Sequence, residues 1–121
     1  LTLLAENIFN AADIIVVPVI PTTLSERTFD QLLNFFADKG YKKQKLYPFF
    51  SMAQSQNKLH IDTIKNMEKN YPRFLKSIIG FSVEIEKMGG HREPVLAYAS
   101  KKSAVQSYRS LFNEIVAALD K

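Results

Sequence analysis

The chain has 121 residues, 46% hydrophobic and 23% charged, which matches one globular domain and excludes a disordered segment. With no cysteine, it cannot build a disulfide scaffold, a thiolate zinc site, an iron–sulfur cluster or a cysteine nucleophile, and it fits a reducing, cytoplasmic setting. The net charge is +4, and the longest apolar run, Ile14 to Ile20, is too short to cross a bilayer.

Taken along the chain, helix and strand alternate. Leu3, Leu4, Ile8 and Ala11 or Ala12 recur at helical spacing up to about Asp13. Leu1 falls inside this pattern, so the chain reads as a piece of something larger. Ile14-Ile15-Val16-Val17 is a β-branched run of the kind that forms a strand buried on both faces. Pro18 and Pro21, which cannot donate to a ladder, are expected to stop it. Thr23 and Glu26 are spaced as a capping box, with Thr23 as N-cap. The helix they open carries Leu32, Leu33, Phe35 and Phe36, and Gly40 suits a left-handed C-cap.

A second strand is expected from Lys45 to Met52, with Pro48 arguing for an edge or a bulge. Gln54 to Asn57 reads as a polar loop, and Asn57 as the cap of a helix bearing Ile61, Ile64 and Met67. Tyr71-Pro72 ends that helix. Ser77 to Phe81 reads as a third short strand, followed by a helical turn with Val83, Ile85 and Met88 that Gly89-Gly90 terminates. A second capping-box match begins at Ser103. It opens a long helix with Val105, Tyr108, Leu111, Phe112, Ile115, Val116 and Leu119 on one stripe. The pattern predicts one partial α/β domain over residues 1–121, with about three parallel strands and four to five helices.

In an open parallel sheet, ligands collect at the carboxyl ends of the strands. Those ends fall at Pro18 to Thr23, Ser51 to Asn57 and Gly80 to Glu84. The charge is uneven: residues 39–76 hold nine basic and two acidic side chains, a net +7. Such a region can attract phosphates or serve as a solvated lysine-rich face.

Other arrangements are less productive. His60 and His91 have no metal-ligand spacing and read as surface or interface histidines. Ser51, Ser55, His60 and Asp62 lack the Gly-x-Ser-x-Gly elbow of a serine hydrolase. Glu84 and Glu86 fall on different faces of a turn. Phe29, Phe35, Phe36, Tyr108 and Phe112 read as core. Arg27, in the first turn of its helix, suits a phosphate or carboxylate, as do Arg92 and Arg109.

Ala12-Asp13-Ile14-Ile15-Val16-Val17-Pro18-Val19-Ile20-Pro21-Thr22-Thr23-Leu24-Ser25 resembles the strand and loop after the Walker B region of ParA/MinD-type ATPases. Phe49-Phe50-Ser51-Met52 resembles the next strand of a ParA subgroup. The stretch from Phe81-Ser82 through Met88-Gly89-Gly90-His91-Arg92-Glu93-Pro94-Val95 is similar to that subgroup's loop before the last helix. The resemblance runs in order over essentially the whole chain and is to the C-terminal portion of the family, a P-loop NTPase-like sheet.

It implies that Ser51, Met52, Gly80, Phe81, Ser82 and Val83 flank adenine. Pro21, Thr22, Thr23, Ser25 and Arg27 would face the γ-phosphate and a partner subunit. It further implies a parent that binds ATP and Mg2+, forms a nucleotide-dependent homodimer, and partitions chromosomes or plasmids or positions cargo, with a ParB-like or other adaptor as partner. No Gly-Lys-Thr or Gly-Lys-Ser occurs in these residues, so this portion alone is expected to be inactive, with no catalytic residue, metal or cofactor of its own. A second expectation is non-specific DNA or protein binding through the basic middle region, with Lys58, Lys65, Lys69, Arg73 and Lys76 as contacts. A third follows from the label cobyrinic acid a,c-diamide synthase that relatives often carry, although an amidoligase would need a glutamine-hydrolysing site. Exposed sheet edges are expected to promote self-association.

Overall fold

The computed structural model describes residues 3–81 and 103–120. The expected turn at residues 83–88, together with Ser82, Val83, Glu84, Glu86, Gly89, Gly90, His91 and Arg92, lies outside the described residues. The described elements are α1 (Leu3–Ala11), β1 (Ile15–Val19), α2 (Thr23–Lys39), a 3-10 turn (Lys43–Lys45), β2 (Leu46–Ala53), α3 (Lys58–Asn70), β3 (Ile78–Gly80) and α4 (Ser103–Leu119). The strands form one parallel sheet in the order β1-β2-β3. The fold is therefore α/β, as the alternating pattern predicts.

Period-two alternation divides the core between the two sheet faces. On one face Val19 and Phe50 pack with Phe29 of α2, Met67 of α3 and Phe74, flanked by Val17, Leu32, Leu33, Ile64 and Tyr71. The Phe50 and Phe74 rings stack at 4.2 Å, 7° from parallel. On the other face Phe49 and Ile79 pack with Leu75 and with Leu111 of α4, beside Val16, Tyr47, Tyr108 and Ile115. Phe112, expected in this core, is instead 65% exposed, on the flank of α4 that turns away from the sheet.

One cap differs from expectation. The N-cap of α2 is Thr22, whose backbone is extended and whose hydroxyl accepts from the Ser25 amide at 3.2 Å. Thr23 is already helical, and the Glu26 carboxylate accepts from the Asn66 side-chain amide at 2.8 Å instead of reaching back. Gly40 closes α2 at φ 72°, the left-handed geometry expected there. Asn57 caps α3 by accepting from the His60 amide.

Both strand prolines lie inside their strands, and hydrogen-bond direction explains this. The N–H and C=O of one strand residue point to the same side. The Pro48 carbonyl accepts from the Leu75 amide at 2.8 Å, so the missing Pro48 N–H also faces the β3 side. Pairing with β3 begins only at Phe50, so no acceptor there goes without a donor. Pro48 is thus accommodated in the central strand, neither at an edge nor at the bulge.

By the same alternation Tyr47 and Phe49 face β1. Their register against Val16 and Pro18 then aims the polar groups of Ile15, Val17 and Val19 at β2. Those of Ile14, Val16 and Pro18 point away from β2, where no strand pairs among the described residues. Pro18 continues β1 and does not stop it, because its missing donor points away from β2 and faces no partner among the described residues.

The bulge falls four residues later. Phe50 pairs with Ile78 but Ala53 with Gly80, one residue out of step. Met52 sits there at φ 54°, a left-handed conformation that costs an L-residue about 1–2 kcal/mol. The extra residue lets the Ala53 carbonyl, and not that of Met52, accept from Phe81 N–H at 2.9 Å. Met52→Val is expected to lower the unfolding free energy by about 1–2 kcal/mol in a urea titration, and Met52→Asn to change it little.

Candidate functional site at the carboxyl rim of the sheet

Because the three strands are parallel and sequential, Val19, Ala53 and Gly80 end at one rim. The rim has two wings separated by β2. On the β3 wing, a groove of about 430 Å³ is lined by Ala53, Gln54, Ser55, Gln56, Gly80 and Phe81. An adjoining groove of about 550 Å³ shares Ala53, Gln54, Ser55 and Gly80 and reaches Ile61, Ile64, Lys65 and Glu68 of α3.

Of the residues expected to flank a base, Gly80 and the 50% exposed Phe81 line the first groove, and Phe81 offers an aromatic face. Ser51 and Met52 do not line it. The bulge ends the strand one residue later than a regular ladder, so Ala53 and the loop after it form that wall. A Cβ on Gly80 would meet the Ala53 carbonyl oxygen at 3.6 Å, an ordinary contact, so packing alone does not require glycine there.

The loop Gln54–Asn57 is held by His60, a residue expected at a surface or interface. Its side chain is buried, with 7% exposure, because positions 60, 63 and 67 share the inward face of α3. His60 Nδ1 accepts from the Gln54 amide at 3.0 Å, which assigns the imidazole hydrogen to Nε2. The Asn57 amide donates to the Gln54 carbonyl at 3.0 Å, and the Asn57 side chain accepts from the His60 amide at 3.2 Å. This circuit fixes the loop that lines the groove. With Nδ1 so engaged, that nitrogen is not available as a base for Ser51 or Ser55.

The β1 wing carries Pro21 to Ser25. Pro21 is buried and Thr23 exposed, while the Thr22 hydroxyl donates to the Ser25 hydroxyl at 3.1 Å in addition to capping α2. Arg27 is exposed and makes no ion pair among the described residues. A groove of about 380 Å³ runs between β1 and α2, lined mainly by Val17, Val19, Leu24, Thr28, Phe29 and Leu32. No described groove joins the two wings.

The basic residues do not share one face. Lys58, Lys65 and Lys69 are exposed along α3 at spacings of seven and four, with Asp62 in the same stripe. Helix α3 runs back against the strands, so Lys58 stands at the carboxyl rim and Lys69 at the amino end. Arg73 is a structural clamp: its guanidinium donates to the Gln44 carbonyl at 2.6 Å and lies 5.1 Å from the Tyr47 ring centre. Lys39 pairs with Glu6 at 3.5 Å, and Lys45 Nζ donates to the Asn10 carbonyl at 3.2 Å. The Lys76 amide donates to the Glu114 carboxylate. Lys39 at the end of α2, Lys42, Lys43 and Lys45 before β2, and Lys69, Arg73 and Lys76 before β3 all lie at the amino end of the sheet, so most of the +7 gathers there, away from the rim.

Among the described residues no cluster of three or more potential metal ligands occurs, and no helix is long and apolar enough to cross a membrane. No protein-family model and no curated protein sequence matches the chain.

Proposed function

We propose that this chain forms the C-terminal portion of a ParA/MinD-type ATPase, with the β3 wing as the wall beside the base and Pro21–Ser25 as the loop facing phosphate and partner. The observation that carries this reading is the rim itself: three sequential parallel strands end together, and the motif-bearing loops follow those ends. In the intact protein the activity would be Mg2+-dependent ATP hydrolysis in a nucleotide-dependent dimer that partitions DNA or positions cargo. Charge stabilisation in phosphoryl transfer comes from a phosphate-binding loop and its metal. These 121 residues contain no such loop, so their share is recognition of the base.

Hydrogen exchange and a turnover assay on the purified chain test this. Millimolar ATP and adenosine should both slow exchange at the Gln54, Ser55, Gln56 and Phe81 amides, whereas tripolyphosphate should not, and no Mg2+-dependent hydrolysis should be measurable. Turnover by the chain alone, or protection by tripolyphosphate but not by adenosine, would overturn the assignment.

A further inference from the structure

The peptide group between Ala53 and Gln54 is held at both ends. Its carbonyl accepts from Phe81 N–H at 2.9 Å, and its N–H donates to His60 Nδ1 at 3.0 Å. In a trans peptide these two groups point to opposite sides. One planar unit therefore ties the end of β2 both to the Phe81 wall of the groove and to the first turn of α3. Pairing of β2 with β1 has ended at Phe50, and the Met52 bulge interrupts the ladder with β3. Among the described residues, the orientation of this peptide thus rests on these two bonds. The rest of the loop is fastened differently. The Asn57 amide donates to the Gln54 carbonyl, and the Asn57 side chain accepts from the His60 amide, so Gln54–Asn57 is a turn carried by α3. Of all these bonds, only the one at Nδ1 involves a group whose type titrates near neutral pH.

Nδ1 accepts only while it carries no proton. A second proton on the imidazole makes Nδ1 a donor facing a donor, and the bond to Gln54 is lost. We propose that His60 is a positioning residue of this groove and a proton-controlled latch on its wall. The neutral imidazole fixes the peptide that joins Gln54 to the Phe81 side, and the protonated one releases it. Histidine ordinarily changes charge between about pH 5 and 8, so the wall is set in neutral solution and loosened in mild acid. His60 makes no ion pair among the described residues. Thr63 and Met67 share its inward face of α3, while Lys58 and Asp62 lie on the opposite, exposed face. The strands and the loop carry no ionisable side chain except Tyr47, which packs on the other side of the sheet. Lys65 and Glu68 of α3 line the adjoining groove. From α2, Glu26 meets Asn66, and Asp30 lies beside Met67 and Asn70, farther along α3. The latch is a property of the loop, whatever occupies the groove, and stands independently of the functional reading.

Amide and imidazole nitrogen NMR spectra of the 121-residue chain, without nucleotide and titrated from about pH 8 to about pH 5, test this. At the alkaline end His60 should show the Nε2–H tautomer. As it takes up the second proton, the Gln54 and Phe81 amide resonances should move with the same midpoint. The protection of the Gln54 amide against hydrogen exchange, referred to the unstructured rate at each pH, should fall at least about tenfold. The Lys76 and Ser77 amides, held by the Glu114 carboxylate that stays ionised over this range, should keep theirs. His60→Asn places an amide oxygen near the Nδ1 position with no proton to gain, so Gln54 should stay protected throughout. His60→Phe fills the space without an acceptor and should leave Gln54 unprotected throughout. A His60 that takes up no second proton in this range, an Nδ1–H tautomer at the alkaline end, or a Gln54 amide indifferent to the titration would each overturn the proposal. So would a loss shared equally by Lys76 and Ser77, or the parent's pH dependence persisting in His60→Asn. If either variant fails to fold, the titration of the parent chain decides.

Discussion

Phe50→Ala is expected to lower the unfolding free energy by about 3–5 kcal/mol, the range for removing a buried phenyl ring and leaving its cavity. Phe50 is fully buried in the central strand. Its ring is stacked on Phe74 and belongs to the cluster shared by β1, α2, α3 and the segment before β3. The ring contact contributes about 0.5–1.5 kcal/mol beyond the buried area. A domain of this size has about 5–15 kcal/mol in total, so the variant loses a third or more of it, and a marginal chain would unfold. Urea midpoints for the parent chain, Phe50→Leu and Phe50→Ala check this. Leucine should retain most of the stability, because it refills most of the volume. A Phe50→Ala midpoint within experimental error of the parent would contradict this account of the core.

Glu114→Ala is expected to cost about 2 kcal/mol near neutral pH, since charge-assisted bonds to backbone amides exceed neutral ones. The Glu114 carboxylate accepts from Lys76 N–H at 2.8 Å and from Ser77 N–H, tying α4 to the entrance of β3. Burial alone would raise the Glu114 carboxyl. The Ser77 side chain, the Lys76 and Ser77 amides and the Lys76 charge outweigh it and hold the group below the usual carboxylate range. A folded-state value below the unfolded one means that the unfolded chain binds the proton first as pH falls. The contribution is therefore fully present above the unfolded glutamate value of about 4.3 and disappears as pH drops through the lower folded one. The stability gap between the parent chain and Glu114→Ala should be constant from pH 7 to about pH 5 and narrow below about pH 4. A gap that persists unchanged into that acidic range would show that the carboxylate is not what holds α4 there.

Much of the architecture follows from local pattern. The β-branched run at 14–17, the apolar stripes of α2, α3 and α4, Asn57 as cap and Gly40 as stop are readable because each depends on residues a few positions apart. Other features turned on partners far along the chain. Thr22 and Thr23 are equally good caps as letters, and the extended backbone at Thr22 chose between them. His60 lies at an inward position of an amphipathic helix, so its burial was within reach of periodicity. Its bond to the Gln54 amide was not, because that depends on where the loop returns. Phe112 belongs to the apolar stripe of α4, yet among the described residues Tyr108, Leu111 and Ile115 pack on the sheet and Phe112 stays exposed.

The candidate site divides in the same way. That the strands' carboxyl ends would form a rim follows from three strands alternating with helices. Which residues line it depended on the Met52 bulge, which moved the wall from Ser51-Met52 to Ala53–Gln56. The basic cluster is contiguous in sequence, and β2 and α3 running in opposite directions return most of it to the amino end of the sheet, away from the rim.

The amino-acid sequence by itself determined the alternation of helix and strand, and with it a parallel sheet, because hydrophobic period and capping are local properties of the chain. Only the tertiary structure decided that Pro48 sits in the central strand, that β1 pairs on one side alone among the described residues and that Gln54–Gln56 face the groove. Each of these depends on which side a backbone polar group faces, and pairing between distant segments sets that side.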